Sequence, residues 1–518
     1  MKKTFLLLLL ICNFSIAQDS LYKVFSIIGS LEEPISAINA LGDINHDGYD
    51  DFILRKENTD YCEIYFGSEN IDLTYTLKLF DQPNMGSLGT LINVGDLNND
   101  GYNDYAQSGY LNNGGYPTGK VFIFYGSSEL NSDPDWSLQS SCIDGFLGAS
   151  LSGGDFNGDG KDDLVISEPY NWCDGVGKVF LFEGSNGFSN IPLYIYEGEQ
   201  TEDFFGEHVC LNGDINGDGL NDLIISAPNI NGIQNLESKI FIYFGDLSIS
   251  NVTDTTLSFP ILYTDVLPYY LDDFNGDGFD DFYVTIENKL FFGSIDFNGA
   301  EYLEFVSSEE YDNYGQNAGS LGDINNDGYS DILLGATGHK NTAGVMVGAS
   351  YIHLGSSSPD TTADFFLEGE TKWSGFGYSG GLLGDINSDG FVEFYISAFK
   401  YPDIDNKLGK VYVYSMKDFV VGVDERIDII PKEFILKQNY PNPFNPTTQL
   451  GYQIPKSGFV NLVVYNPLGQ VVSTLVNEHQ TNGKYSVQFN ASNLPSGVYF
   501  YKLHVGEFSS VKKMLLTK

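Results

Sequence analysis

One nine-residue string recurs seven times along the 518 residues, and its residue types are those that wrap a hard cation. It reads Asp-x-Asn-x-Asp-Gly-x-x-Asp, with Glu in the last place of the seventh copy. The oxygen-bearing positions are Asp43, Asn45, Asp47 and Asp51 in the first copy and Asp96, Asn98, Asp100 and Asp104 in the second. They continue with Asp155, Asn157, Asp159 and Asp163, then Asp214, Asn216, Asp218 and Asp222, then Asp273, Asn275, Asp277 and Asp281. Asp323, Asn325, Asp327 and Asp331 form the sixth set, and Asp385, Asn387, Asp389 and Glu393 the seventh. Side chains at positions one, three and five can face one centre, while glycine at six permits a sharp turn. The seventh residue offers its carbonyl, as Tyr49 would in the first copy, and the ninth carboxylate closes the shell. Calcium takes about six to eight such oxygens, whereas magnesium keeps more water. The pattern predicts up to seven structural Ca2+ sites. An EF-hand would place its last acid at position twelve, where Leu54 and Ile166 stand in the first and third copies.

Charge agrees with this reading. The chain carries 70 Asp+Glu against 26 Lys+Arg, a formal net charge of −44. Three carboxylates confined to one short loop repel one another unless a counter-ion is present. So acidic a surface excludes a nucleic-acid partner, which needs a basic footprint. Aromatic residues at 14 % exclude an acidic disordered chain.

The segments around each string repeat too, at spacings of 50 to 62 residues. Ahead of it lies a small-residue stretch such as FLGASLSGG or FGEHVCLNG; behind it comes a β-rich run such as DLVIS, DLIIS or DILLG. A loop then leads to an alternating aromatic run, as in GKVFIFYGS and GKVFLFEGS. Runs of this composition bounded by Gly and Asn are strand signals, and each unit reads as a meander of about four strands. Helical periodicity is absent. The expected fold is all-β: a seven-bladed β-propeller, with the run Tyr22–Ile28 supplying the outer strand of the last blade and closing the ring. Units of this form resemble FG-GAP repeats of integrin-α propellers, best at Phe205-Gly206 through DLIISAP and at Phe376-Gly377 through EFYISAF. The resemblance covers about residues 20–415. It implies that the nine-residue loop joins the first two strands of a blade and holds calcium, with ligand-binding loops on the opposite face. The first, second and fifth units lack the Phe-Gly pair, and less regular hairpins are expected there.

On that opposite face, the segments YLNNGGYPTG, EPYNWCDGVG and FKYPDIDNKLG read as long aromatic loops between second and third strands. Tyr110, Tyr116, Tyr170, Trp172 and Tyr401, with the inter-blade Trp373, are the candidates for binding a protein or glycan. Packing on neighbouring blades is the alternative role for them. Cys142 and Cys173 flank the first two strands of the third unit and are expected to pair, while Cys62 and Cys210 fall inside strands. The string Gly377-Tyr378-Ser379-Gly380-Gly381 fits G-x-S-x-G, but it occupies a small-residue strand and no helix follows. No H-E-x-x-H or phosphate-loop motif is present. The chain reads as a non-catalytic adhesion or recognition module. An extracellular carbohydrate-active lyase or hydrolase is the alternative, and it requires convergent acids in a deep pocket.

The ends are different in kind. Lys2 and Lys3 precede an apolar run, and Ser15-Ile16-Ala17 offers small residues for cleavage, so residues 1–17 read as a signal peptide. No stretch reaches the roughly 18 apolar residues of a membrane span. After a propeller over 18–415 and a linker over 416–433, residues 434–518 carry seven Lys and two Glu. Their alternating runs between turn signals suggest a small Ig-like antiparallel β-sandwich of about seven strands. YPNPFNP, YNPLGQ, SGVYFYKL and the terminal KKMLLTK are similar to the type A C-terminal sorting domain of the type IX secretion system. That resemblance implies the type IX machinery as a partner and a secreted or surface location in a Gram-negative, Bacteroidetes-type bacterium.

Overall fold

The computed structural model describes residues 21–416 and 434–517, less short interruptions that include 81–84, 114–115, 143–144, 171–172, 229–236, 247–252, 260–265, 308–311 and 404–406. The expected signal peptide, the linker beyond Met416 and Trp172 lie outside the described residues. Two compact units are present, Met1–Val423 and Asp424–Lys518.

Among the described residues, the first unit holds seven four-stranded antiparallel sheets. Six are meanders of consecutive strands; the third runs Leu151–Gly154, Asp163–Glu168, Lys178–Phe182 and Tyr194–Glu197, called strands A to D from the inside outward. The innermost strand of every sheet touches those of both neighbouring sheets, and the first sheet meets the last, so the ring is closed. In the seventh sheet Gly380–Gly384, Glu393–Ala398 and Lys410–Ser415 come from the C-terminal side, and Tyr22–Ile28 adds the outer strand. Ile28 pairs with Lys410 and Tyr22 with Ser415, the closure expected from the sequence.

Strand B explains why its run is apolar without alternation. DLVISE, DLIISA and DILLGA are buried at every position, because each sheet is covered on both faces by its neighbours. The cores accordingly lie between blades. Val165, Val179 and Leu181 of the third pack with Val209, Leu223 and Phe241 of the fourth, and the first blade shares such a cluster with the seventh through Phe52, Leu54, Leu383 and Val413.

The second unit pairs a three-stranded sheet, Ile435–Leu436, Thr447–Ile454 and Gly483–Asn490, with a four-stranded one built from Val471–Gln480, Gly458–Tyr465, Gly497–Val505 and Phe508–Leu516. One core draws Leu450, Tyr452 and Phe489 from the first sheet and Leu462, Val464, Tyr501 and Met514 from the second. Among the described residues no helix occurs in either unit.

Candidate metal loops and the opposite face

Each nine-residue string forms the connection between strands A and B, with its ninth residue opening strand B. Its backbone is the same in all seven copies. The sixth-position glycine takes φ between +82° and +91°, from Gly160 to Gly101 and Gly278. The fourth residue is left-handed as well: His46, Asn99, Asn326 and Ser388 share that region with Gly158, Gly217 and Gly276. Side chains with a β-carbon meet steric cost there, least for Gly and Asn, which accounts for the residue types found.

Within the loop the oxygens turn inward onto backbone N–H groups. In the first copy the N–H of Asp47 and of Gly48 donate to Asp43, at 3.1 and 2.9 Å. Asn45 Oδ1 accepts from Asp47 N at 2.8 Å, and Asp47 Oδ1 from Tyr49 N at 3.1 Å. The same bonds recur, as at Asp273, Asn275 and Asp277. Positions one, three and five therefore crowd around one loop interior.

The ninth carboxylate has a second role that its place in the pattern does not reveal. Asp331 is fully buried; its Oδ2 accepts the N–H of Ile324 at 2.9 Å, and its Oδ1 that of Gly355, which follows strand C, at 2.8 Å. Asp51, Asp104, Asp163, Asp222 and Asp281 make the corresponding pair of bonds. Glu393 accepts from Ile386 N at 3.1 Å and from Asn387 Nδ2 at 2.8 Å, the latter matched by Asn157 Nδ2 donating to Asp163 at 3.1 Å. Burial pushes these carboxyls up, to about 8 for Asp51, Asp104, Asp281, Asp331 and Glu393 and to about 7 for Asp163 and Asp222. The first and fifth carboxylates of the same loop push in the same direction, and the backbone N–H bonds oppose them.

Among the described residues, no three His, Cys, Asp or Glu side chains gather into a metal-holding group. The donor set suits a hard cation on other grounds. Asn98 is 7 % exposed, its Nδ2 donates to Asp100 Oδ2 at 3.0 Å, and its Oδ1 has no hydrogen-bond partner. Asn387 Oδ1 is buried without a partner in the same way. An orphaned buried acceptor is costly, and an oxygen at the third position of a carboxylate loop is satisfied by a cation. The eighth residue escaped the sequence reading; Asp50, Asp162, Asn221 and Asp280 bond across to the neighbouring blade. Its signal was the Asp, Asn or Ser present there in six of the seven copies.

The opposite end differs from the expectation. Tyr110 to Gly119 is no loop: strands Asp104–Asn113 and Tyr116–Phe124 pair through it, Tyr110 with Gly119 and Asn113 with Tyr116. Tyr110 stacks edge-on against Phe146 at 5.1 Å, Phe146 lies 5.2 Å from Tyr170, and Tyr170 5.1 Å from Phe204. These half-buried and buried rings form a row across the second, third and fourth blades, so Tyr110 and Tyr170 pack on their neighbours. Tyr170 also donates to Glu207 Oε1 at 3.3 Å. Tyr401 sits under Lys410 Nζ at 4.8 Å, and Trp373 remains 40 % exposed. The Cys142–Cys173 disulfide ties this end of the third blade, with Cα atoms 5.8 Å apart, and Cys62 and Cys210 are buried and outside any disulfide. Ser379 Oγ bonds Ser397 Oγ at 2.9 Å and precedes strand Gly380–Gly384, so the G-x-S-x-G string is strand-edge structure.

Comparison with known proteins gives matching results for both units. Residues 147–182 and 316–353 match the FG-GAP repeat, and residues 438–517 match the secretion system C-terminal sorting domain. Relatives include integrin alpha-6 of Gallus gallus, 30 % identical over 27 % of this chain and 13 % of its own length. Integrin alpha-4 of Xenopus laevis is 26 % identical over 55 % of the chain and 23 % of its own length. Integrin alpha-8 of Mus musculus is 24 % identical over 65 % of the chain and 26 % of its own length. The chain thus spans about a quarter or less of the curated relatives it matches. Its sorting domain directs it through the type IX secretion system to the cell surface or beyond.

Proposed function

Proceeding from an integrin-α-like FG-GAP propeller that carries a type IX sorting domain, we propose a calcium-stiffened, non-catalytic recognition module that works outside the cell. The proposal assigns residues 1–17 to a leader, 18–415 to the propeller, 416–433 to a linker and 434–518 to the sorting unit. The ligands in each loop are the first, third, fifth and ninth side chains, from Asp43, Asn45, Asp47 and Asp51 through Asp385, Asn387, Asp389 and Glu393. Calcium supplies positive charge to loops that hold three acids each. Calcium that binds only the folded chain stabilises it by mass action. Sites of about 10⁻⁴–10⁻³ M suffice outside the cell. The observation that carries the reading is Asn98 Oδ1, an acceptor buried in a loop of acids with nothing to accept from.

The ligand is an extracellular protein or glycan held on the face opposite the loops, where Trp373 and the flank of the aromatic row offer ring surface. A screen of immobilised glycans and matrix proteins, run in calcium and again in EDTA, tests it. Binding that needs calcium and falls on Trp373→Ala supports the reading. Turnover of a polysaccharide substrate by the purified chain would contradict it.

A further inference from the structure

Each described junction between neighbouring loops is gripped from the next blade, and most of the grip comes from a position that the cation pattern leaves open. Asp162, eighth in the third copy, accepts the N–H of Asp96, first in the second copy, at 2.7 Å. Asn221 accepts that of Asp155 at 2.8 Å, and Asp280 that of Asp214 at 2.8 Å. Across the seam of the ring Asp50 accepts that of Asp385 at 2.7 Å, although 335 residues separate them. The backbone answers in reverse. The N–H groups of Asp50, Asp162, Asn221, Asp280 and Ser330 donate to the carbonyl of the preceding loop's first residue, at 2.9 to 3.4 Å. Ser68, Ser127, Ser294 and Ser356, just after strand C, donate their N–H to the carbonyl of that loop's second residue. Contact is so close that a β-carbon on Gly95 would lie 2.0 Å from Asp162 Oδ2, and one on Gly384 2.2 Å from Asp50 Oδ2. Three junctions depart from the scheme, and at the one between the first and second copies the bond seen is from Ser127 N–H to Ile44 O rather than one from Asn103. Ser330 Oγ has no hydrogen-bond partner, and Val392 stands at the eighth place of the last copy, where Asn326 Nδ2 bonds Gly390 O at 2.8 Å instead.

The latch joins the first ligand residue of one loop to the residue beside the ninth ligand of the next. We infer that the eighth residues couple the loops they join, the second through the fifth and the seventh with the first, so that metal is taken up cooperatively within those sets. A loop fixed by its ion holds its eighth side chain still and offers a ready acceptor to the neighbour's first residue. That neighbour then loses less conformational freedom on binding its own ion. The coupling acts in both directions, since linkage is reciprocal. The eighth residues touch no ion in this scheme; they are positioning residues.

The inference rests on the calcium reading above, and one experiment separates the two. Calcium binding to the full chain is measured by equilibrium dialysis for the parent, Asp280→Asn and Asp280→Ser. Asn221 makes the latch with an amide oxygen, and Ser330 is a serine that the ring already accommodates. The parent is expected to bind more steeply than independent sites, and Asp280→Asn to follow it. Asp280→Ser is expected to bind less steeply, its half-saturation raised about five-fold, the lower end of typical coupling between sites. A purely structural role would lower the melting temperature without changing that steepness. A parent isotherm that fits independent sites, or equal shifts in both variants, would overturn the coupling while leaving calcium binding intact. No calcium bound by any of the three would remove the calcium reading and the coupling with it.

Discussion

The seven loops show which residues a cation pattern makes legible and which it hides. Positions one, three, five, six and nine are recognisable in sequence because each must be an oxygen donor or a left-handed glycine. The fourth position is equally constrained, yet His46, Asn99, Gly158 and Ser388 look unrelated until their shared positive φ is known. Gly328→Ala should therefore destabilise the sixth loop by roughly 1–2 kcal/mol through φ alone. No atom lies within 4 Å of where its β-carbon would stand. Urea unfolding of the variant checks this. A second residue-scale expectation concerns pH. His353 is buried between the Tyr314 hydroxyl, 2.9 Å from Nε2, and the Phe305 ring, and burial lowers its pKa to about 4. The unfolded chain takes up that proton near 6.5, so the stability linked to a neutral His353 is complete above 6.5 and lost as pH falls toward 4. His353→Gln keeps an acceptor for Tyr314 and does not titrate. Its unfolding free energy should fall less than the parent's between pH 6.5 and 4, read by urea titration at both values.

At the scale of the blade, the strands were readable because their runs are short, apolar and bounded by glycine, while the hydrogen bonds that join loop to strand were not. The ninth acid stood out in the sequence as a candidate ligand; its bonds to the start of the loop and to the end of strand C depend on a fold that sequence does not display. Asp331→Ala leaves the N–H groups of Ile324 and Gly355 buried without acceptors. At about 1–3 kcal/mol for each orphaned group, the loss should be several kcal/mol. A large drop in the urea midpoint is expected, and a change below about 1 kcal/mol would contradict the hub role. The hairpin at Tyr110–Gly119 was misread because its glycines and asparagines resemble loop composition, whereas backbone pairing continues from Tyr105 and Phe124 as far as Asn113 and Tyr116.

For the whole molecule, ring closure by Tyr22–Ile28 was legible as an unassigned strand ahead of the first repeat, and the sheet order bears it out. Removing residues up to Ile28 would expose the edge of Lys410–Ser415 beside the cluster that includes Val411 and Val413. An open strand edge pairs with other chains. The truncated protein is expected to lose thermal stability and to elute from size exclusion as aggregate rather than monomer. The latches between blades were invisible in the sequence, because residues 66 or 335 positions apart meet only once the ring has formed. The central claim is that metal in the loops holds this ring together. Thermal unfolding of the full chain in EDTA, with calcium or magnesium restored in turn and metal content measured on the same sample, tests it most directly. A large loss of melting temperature in EDTA, recovered by calcium and not by magnesium, is the result expected. An unchanged melting temperature in a sample that contains no metal would contradict it.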